Sequence, residues 1–413
     1  MRTSTGSFGR GMLALGAALA GLALPVFSVF SVFGVALAGC EDEPPPEPTL
    51  DAGPGSDGSA PYDGGAEDAG DGGDAALPDA ADAGVAPVIL GITPSPRDDG
   101  DGDGEPTPGD LLQAELITFA AGVRGVAVTR ALRDLDPGAP AELAQLGQRY
   151  AMHGKRVLFN LALVDGAADG RPAELAALPW DDPAAIDAVR AAVDVVLQSF
   201  GDELAYLTFG RDVDGYLATH PEDRAGFETL VLDACAYAGA HPGGAGALGV
   251  GVGFSFPGAS APDPSFAELT EAGTIVALSY LPGLPDGQAA PASEVAGALD
   301  AMAALARARP VILQAVGYPS AAEAESSEEK QRLFFATLFD ALSPRRAAFP
   351  FVNVVELHDP APAPCEAAVA AQGEDPTGSF AAFACSLGLF DQTGAARPAW
   401  SEVAAGAAAF AYP

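Results

Sequence analysis

The sequence predicts a (β/α)₈ barrel, an α/β fold in which eight parallel strands alternate with helices around a closed sheet. Eight apolar runs of strand length alternate with helical patterns over most of the 413 residues. The fourth run, residues 204–209, ends at Gly210 and is followed at once by charged residues, as expected where strands deliver side chains to the mouth of a barrel. The first 86 residues lack this alternation, which indicates that they are not part of the barrel.

The N-terminus has the features of a secretory signal. Arg2 and Arg10 precede a long apolar stretch that ends in Leu-Ala-Gly-Cys at Cys40. This ending resembles the bacterial lipoprotein signal, in which the cysteine becomes the lipid-bearing first residue of the mature protein. The resemblance predicts a signal peptide at 1–39, lipidation of Cys40, and a location in the bacterial cell envelope, at the outer membrane or cell surface. An N-terminal membrane helix is the alternative, because the stretch is long enough to span.

Residues 40–86 form an acidic segment rich in Asp, Glu, Gly, Ala and Pro, without any lysine or arginine. Such a segment cannot bury enough apolar surface to offset its ordering entropy, so we predict a disordered tether ahead of a domain at 87–413. Much of the net charge of −36 lies in the tether and in the acidic loop that follows it. Because basic residues are clustered nowhere, nucleic acid is excluded as a partner. We expect a monomer that meets the membrane through its lipid anchor alone.

The eight apolar runs share strand length and flanking turn residues. They lie at residues 88–92, 125–129, 156–164, 204–209, 248–256, 274–280, 310–316 and 351–357. A doubly wound open sheet is the alternative architecture, but it usually has fewer strands and a Gly-rich phosphate-binding turn after the first one. The sequence has no such turn, which favours the barrel.

Two of the intervening helices have clear sequence signals. The first spans 182–200, with Asp181 or Asp182 as the N-cap and Pro183 in the first turn. Its predicted apolar face comprises Ile186, Val189, Val193, Val196, Leu197 and Phe200. The second begins at Ser326, which has the capping-box spacing to Glu329. Its predicted apolar face comprises Leu333, Phe334, Leu338 and Leu342.

The remaining three cysteines fall into two groups. Cys365 and Cys385 lie close together in a chain that is predicted to be exported, so we expect a disulfide between them. Cys235 lies on a helical pattern and is expected to be a buried thiol that packs as a small apolar side chain.

One acidic stretch has the spacing of a calcium-binding loop. Asp99, Asp101 and Asp103 are followed by Gly104 and, at the twelfth position, by Asp110. Oxygens on alternate residues of such a loop can converge on one calcium ion. Against a calcium site, two prolines stiffen the second half of the loop, and the last ligand is not the usual glutamate. The alternative is acidic sequence of low complexity, and no other cofactor is expected.

Two motifs resemble those of the retaining glycoside hydrolases of the large (β/α)₈ clan. Gly-Arg-Asp-Val-Asp at 210–214 resembles their GNEVD motif after the fourth strand, and Gln-Ala-Val-Gly-Tyr-Pro-Ser at 314–320 resembles their QEVGYPS motif after the seventh. The sequences at 276–285 and 385–400 are also similar to that clan. The resemblance extends from about residue 86 to the C-terminus, and it implies a barrel that binds carbohydrate or polysaccharide.

The same motifs differ from those of the clan at the positions of the two catalytic carboxyl groups. Retaining glycosidases use two carboxyl groups about 5 Å apart, one as acid/base and one as nucleophile. The resemblance places Asp212 at the acid/base position, where its side chain is one methylene shorter than the usual glutamate, and Ala315 at the nucleophile position. Arg211 replaces an asparagine that in the clan reaches the sugar. These departures predict a catalytically degenerate barrel.

Further residues complete the predicted site. The resemblance implies sugar contacts for Tyr280, Asp214 and Gln314 as well as for Arg211. Glu356, after the eighth run, is a candidate replacement for the missing nucleophile.

Two alternatives to a degenerate barrel remain at this stage, an active glycosidase and a solute-binding lipoprotein. With Asp212, Glu356 would make an active glycosidase, either retaining or inverting, the latter with carboxyl groups about 6.5–9.5 Å apart. The acids at strand ends, such as Asp165 and Glu356, are alternatively salt-bridge partners of Arg130 or Arg211. A solute-binding lipoprotein would need two lobes, and the single series of eight units argues against it.

All the predicted strands and helices follow the tether, so a shortened chain that begins at Ala86 should fold by itself. We expect this chain to be soluble and to unfold in one cooperative transition when its circular dichroism is followed during heating. The mature chain with its tether is the matched comparison and should unfold at the same temperature. An insoluble product, or a transition without cooperativity, would show that the domain boundary lies earlier in the sequence.

Overall fold

The computed structural model describes residues 87–97, 106–135, 139–241, 248–261, 265–284, 286–371 and 374–411. The predicted signal peptide, Cys40 and the acidic tether lie outside these ranges, as do Asp99, Asp101 and Asp103 of the predicted calcium loop. Among the helices within these ranges, none is long and apolar enough to cross a membrane.

Eight parallel strands close into a barrel, which confirms the predicted fold class. The strands are β1 (Ile89–Ile92), β2 (Gly125–Ala131), β3 (Arg156–Asp165), β4 (Leu204–Arg211), β5 (Gly249–Ser255), β6 (Val276–Tyr280), β7 (Val311–Val316) and β8 (Phe351–Val354). Each strand pairs in parallel with the next, and β8 pairs with β1 to close the sheet. All eight coincide with the predicted apolar runs to within a few residues at either end.

Helices surround the barrel in the expected order. The main ones are α1 (Pro108–Ala120), α2 (Ala139–Met152), α3 (Pro183–Phe200), α4 (Arg224–Ala240), α5 (Ser265–Glu271), α6 (Val295–Leu305), α7 (Glu328–Leu342) and α8 (Pro398–Phe410). Shorter helices lie in the connections that follow strands, at Ala173–Ala176, Val213–Thr219, Phe256–Ser260, Pro362–Ala371 and Ser379–Ala384. In a barrel of parallel strands, these connections and the C-terminal strand ends form the mouth.

Helix α3 confirms its sequence signals. The Asp182 carboxylate accepts a hydrogen bond from the Ala184 backbone N–H at 2.8 Å, so this residue is the N-cap. The predicted apolar face of α3 packs on the barrel. In α7, Phe334, Leu338 and Leu342 are fully buried as predicted, but Leu333 is 45% exposed, so its place on the apolar face was wrong.

The start of α7 corrects a second prediction. Its N-cap is Ser327, whose hydroxyl oxygen accepts from the Lys330 backbone N–H at 3.2 Å. The Ser326 side chain is buried and donates to the Pro319 carbonyl oxygen at 2.6 Å. The predicted capping box between Ser326 and Glu329 is therefore wrong, because a contact with the preceding loop takes the hydroxyl that would have capped the helix.

Glycines of β5 allow large neighbours to fill the barrel axis. Gly249 and Gly253 face inward on this strand. A Cβ atom at position 249 would clash with the Tyr206 ring, and one at position 253 would clash with the Gln314 amide. A packed interior at this depth leaves the mouth as the place where a ligand can meet the barrel.

A disulfide ties together the long connection between β8 and α8. Cys365 and Cys385 are bonded, with Cα atoms 6.0 Å apart, which confirms the predicted pair. The bond joins the helices Pro362–Ala371 and Ser379–Ala384. Cys235 is buried and unbonded as predicted, and burial raises the pKa of its thiol to about 12, which makes it unreactive.

Replacing both Cys365 and Cys385 with serine should destabilise the domain. The closed loop of 20 residues restricts the unfolded chain by about 3 kcal/mol in the chain-entropy treatment. We expect a loss of that order in the free energy of unfolding, measured by chemical denaturation, and a similar loss for the wild-type protein in excess reductant. An unchanged denaturation midpoint in both cases would mean that the bond does not stabilise the fold.

Candidate functional site at the barrel mouth

Asp212 stands directly after β4 in a strained and buried position. Its backbone φ is 50°, in the left-handed region that non-glycine residues rarely adopt, and Gly210 before it has a φ of 74°. Asp212 is only 3% exposed, and its Oδ1 atom has no hydrogen-bond partner among the described residues. Strained residues with unsatisfied polar groups are concentrated at functional sites, so this carboxyl group is the centre of the candidate site.

Arg211 forms a buried ion pair across the mouth ends of β3 and β4. Its Nε donates to Asp165 Oδ1 at 2.8 Å and its Nη2 donates to Asp165 Oδ2 at 2.6 Å. This geometry is the bidentate pairing that guanidinium and carboxylate groups favour. It confirms the salt-bridge alternative for Asp165. The guanidinium is thus held by β3, on the side of the mouth next to Asp212.

Asp214, the second acid of the motif, accepts hydrogen bonds from the last residue of β5. Its Oδ1 accepts from the Ser255 backbone N–H at 2.8 Å, and its Oδ2 accepts from the Ser255 hydroxyl at 2.7 Å. Burial raises the pKa of Asp214 to about 7; the charge of Asp212 adds to this shift, and the hydrogen bonds from Ser255 oppose it. Asp214 therefore links the connection after β4 to the end of β5. A sugar that contacted Asp214 would have to share its carboxylate oxygens with Ser255.

Glu356 supplies another buried carboxyl group at the mouth, two residues beyond β8. Its Oε2 atom has no hydrogen-bond partner. Burial raises the pKa of Glu356 well above its usual value, the charge of Asp359 raises it further, and the Arg211 guanidinium opposes both. The environment favours the protonated acid.

Ala315 lies in a covered apolar cluster. The residue is 1% exposed and clusters with Ala324, Val355, Phe383 and Leu387. Phe383 belongs to the disulfide-tied connection between β8 and α8, and Leu387 follows it closely. The position that resembles the clan's nucleophile thus lacks a carboxyl group and is closed by apolar side chains.

Gln314 lies inside the barrel in a polar layer below the mouth. Its Nε2 donates to Ser279 Oγ at 3.2 Å, and its Oε1 accepts from Asn160 Nδ2 at 3.4 Å. Asn160 also donates to Thr208 Oγ1, and Asn353 donates to the Gln314 backbone carbonyl oxygen. The two asparagines were missed from sequence, although each interrupts an apolar strand with a polar residue. Gln314 holds this layer together, so its predicted sugar contact would compete with those bonds.

Tyr280 packs outside the barrel axis. Its ring centroid lies 6.1 Å from that of Phe334 on α7 and 5.9 Å from that of Phe256. The residue is buried in the main core, and burial raises the pKa of its phenol. Tyr280 therefore packs toward the surrounding helices, and its predicted sugar contact stays a prediction.

No metal centre is found in the part of the chain that the structure describes, where no group of three or more His, Cys, Asp or Glu side chains is placed to hold an ion. Asp110 of the predicted calcium loop lies in the first turn of α1, where its Oδ2 accepts from the backbone N–H of the N-cap residue Thr107 at 3.0 Å. The other three aspartates of that loop lie outside the described residues, so calcium binding there stays a prediction.

The buried carboxyl groups divide into paired and unpaired ones. Five residues with a carboxyl side chain are buried in the part of the chain that the structure describes. Three of them pair with arginine, namely Glu115 with Arg149, Asp165 with Arg211, and Asp359 with Arg397. Asp212 and Glu356 have no ion pair within the described ranges, and each keeps an unpartnered oxygen. Both unpaired groups lie at the mouth.

No protein-family model matches the sequence, and no curated protein matches it. Solved structures share its fold. GH5_18 from Bifidobacterium longum subsp. infantis has a TM-score of 0.60 at 17% sequence identity, over 79% of each chain. GH5_18 from Streptomyces cattleya, solved in complex with GlcNAc, has a TM-score of 0.58 at 19% identity, over 79% of this chain and 80% of its own.

An exo-β-1,4-mannosidase from Opitutaceae bacterium strain TAV5 has a TM-score of 0.59 at 17% identity, over 78% of this chain and 59% of its own. These neighbours are glycoside hydrolases, and they confirm the barrel that the two motifs predicted. At such low identity the likeness concerns the fold, and the chemistry has to be argued from this chain's own residues.

Replacing Ala315 with glutamate should destabilise the protein, because the new carboxyl group would be buried among apolar side chains. We expect a loss of about 2–4 kcal/mol at pH 7 in chemical denaturation. A carboxyl kept neutral by folding costs little below its unfolded pKa of about 4.3, and the cost grows as the pH rises above that value. The loss should therefore be smaller at pH 5.

Ala315→Gln is the matched control for this substitution, since it has the same size without the charge. Its stability loss should not depend on pH. A glutamate variant as stable as the wild type at pH 7 would mean that position 315 is open to solvent or faces a cation.

Proposed function

We propose that this chain is a lipid-anchored, carbohydrate-binding barrel that has the glycoside hydrolase fold and does not hydrolyse glycosides by the retaining route. The observation that carries the proposal is the covered apolar cluster around Ala315. Double displacement begins with attack by a carboxylate, and a methyl group among apolar neighbours cannot supply one.

Ligand binding is supported by the unpaired carboxyl groups of Asp212 and Glu356. A buried polar group without a partner costs about 1–3 kcal/mol, and more when it is charged. Such groups persist where a ligand supplies the missing hydrogen bonds. Sugar hydroxyls are donors of the required kind, and the fold neighbours are enzymes that act on carbohydrates.

The proposed anchor is compatible with an accessible mouth. The first described residue, 87, lies just ahead of β1, so the preceding chain joins the barrel at its N-terminal face. The mouth is formed by the opposite ends of the strands. A chain anchored at Cys40 can therefore present the mouth away from the membrane.

A second candidate function is an active glycosidase that uses Glu356 and Asp212. It is favoured by the raised pKa of Glu356, because a general acid has to hold its proton near neutral pH. In this scheme Glu356 would donate a proton to the leaving oxygen and Asp212 would act as the base or nucleophile. The same raised pKa argues against Glu356 as the nucleophile, which has to be ionised.

Hydrolysis of a panel of aryl glycosides separates the two functions. We expect no turnover by the wild type above the buffer rate, and the same result for Asp212→Asn and Glu356→Gln. We also expect a binding oligosaccharide, found by calorimetry or on a glycan array, to lose at least about tenfold in affinity with Asp212→Asn, equivalent to about 1.4 kcal/mol. Exposed Asp340→Asn is the matched control and should bind as the wild type does.

Turnover that is lost in Asp212→Asn or Glu356→Gln would overturn the degenerate barrel and support the second candidate. The anomeric configuration of the first product, followed by NMR, would then distinguish retention from inversion.

A further inference from the structure

We propose that the mouth selects a sugar that carries a free ammonium group, an amino sugar, over neutral and acidic sugars. This inference rests on the proposed carbohydrate-binding function and names the chemical class of the ligand. It is carried by the charge balance of the buried groups at the mouth.

The buried arginines near the mouth are already matched. Arg211 is paired with Asp165, and Arg397 donates from Nη1 to Asp359 Oδ1 at 2.8 Å. After these pairs are formed, the described residues provide no ion-pair partner for Asp212 or for Glu356. The mouth therefore has two buried carboxyl groups for which the described residues provide no cation, and burial favours the protonated form of Glu356.

The two unpaired groups both follow the C-terminal ends of barrel strands, Asp212 directly after β4 and Glu356 two residues after β8. Arg211, which precedes Asp212 in the chain, is close enough to Glu356 to oppose the rise in the pKa of that carboxyl. The charge of Asp212 in turn acts on Asp214. The ends of β4 and β8 thus contribute acidic groups to the same mouth, and each of Asp212 and Glu356 keeps an oxygen without a partner.

An ammonium group supplies both the hydrogen-bond donors and the positive charge that these carboxyl groups lack. It has three donors for the unpartnered oxygens. Its positive charge would balance Asp212 and favour the release to solvent of the proton that Glu356 holds in the free protein. Charge-assisted hydrogen bonds are roughly twice as strong as neutral ones. A neutral hydroxyl donates a hydrogen bond but leaves the charge unbalanced. A uronic acid would add a like charge and would be repelled.

The test is calorimetric titration of the full mature chain with three disaccharides that differ in charge. These are the disaccharide of glucosamine, its di-N-acetylated counterpart, which differs in charge, and a galacturonic acid disaccharide. The titrations are made at 0.15 M salt, where screening over about 8 Å weakens attraction to distant acidic residues. We expect the glucosamine disaccharide to bind at least tenfold more tightly than the acetylated one, and the acidic one not to bind.

The preference should depend on the two carboxyl groups. Asp212→Asn and Glu356→Gln, made singly, should each reduce the preference for the amino sugar over the acetylated one to less than threefold. The matched control is the double variant Glu268→Gln with Asp340→Asn, which removes the same kinds of charge from exposed positions on α5 and α7. This control should keep the full preference. Circular dichroism confirms that each variant is folded, and Glu356→Gln decides the question if Asp212→Asn is not.

Two results would overturn the inference while leaving the proposed function intact. The first is equal or tighter binding of the acetylated disaccharide, and the second is a preference that the exposed double variant also loses. Binding of calcium chloride alone, abolished by Asp212→Asn, would assign the carboxyl groups to an inorganic cation and would also overturn the inference. Failure of every sugar on a broad glycan array would instead overturn the proposed function itself.

Discussion

The buried ion pair between Arg211 and Asp165 is the interaction on which the mouth depends. It joins the ends of β3 and β4 through two hydrogen bonds. Removing one partner of such a buried pair typically costs about 3–5 kcal/mol, because the other charge is then left unpaired. Asp212, the next residue in the chain, has a left-handed backbone, and the described residues provide no ion pair for its carboxyl group. The pair thus holds the strand end from which Asp212 follows.

The mouth combines two surfaces of opposite character. Around Ala315, apolar side chains from the disulfide-tied connection close the position where the clan resemblance expects a nucleophile. Asp212 and Glu356 provide buried carboxyl groups, each with one oxygen that has no hydrogen-bond partner among the described residues. Retaining hydrolysis needs carboxyl groups on both sides of the sugar, whereas recognition needs a group that can be satisfied by the ligand. The division between these surfaces is the physical reason for proposing binding without retaining chemistry.

Below the mouth, a polar layer replaces the apolar filling that is usual for such barrels. Gln314 is its central member, bonded to Ser279 and Asn160, with Asn353 bonded to its backbone. Inward-facing glycine on β5 makes room for the Gln314 amide. Asn160 and Asn353 donate from Nδ2, but each keeps an Oδ1 atom without a partner, so the network is only partly satisfied. The bonds that are made link β3, β4, β6, β7 and β8 below the site.

The sequence by itself determined the eight strands, the lack of a carboxyl group at position 315 and the Cys365–Cys385 bond. These features depend on local pattern, on residue identity, or on a short separation along the chain, all of which are visible in one dimension. Tertiary structure alone decided that Ser326 does not cap α7, that Tyr280 faces the helices, and that two of the five carboxyl groups found buried in the described ranges have no ion pair there. Each of these depends on which distant residue comes within hydrogen-bonding or packing distance, and closure of the barrel sets that distance.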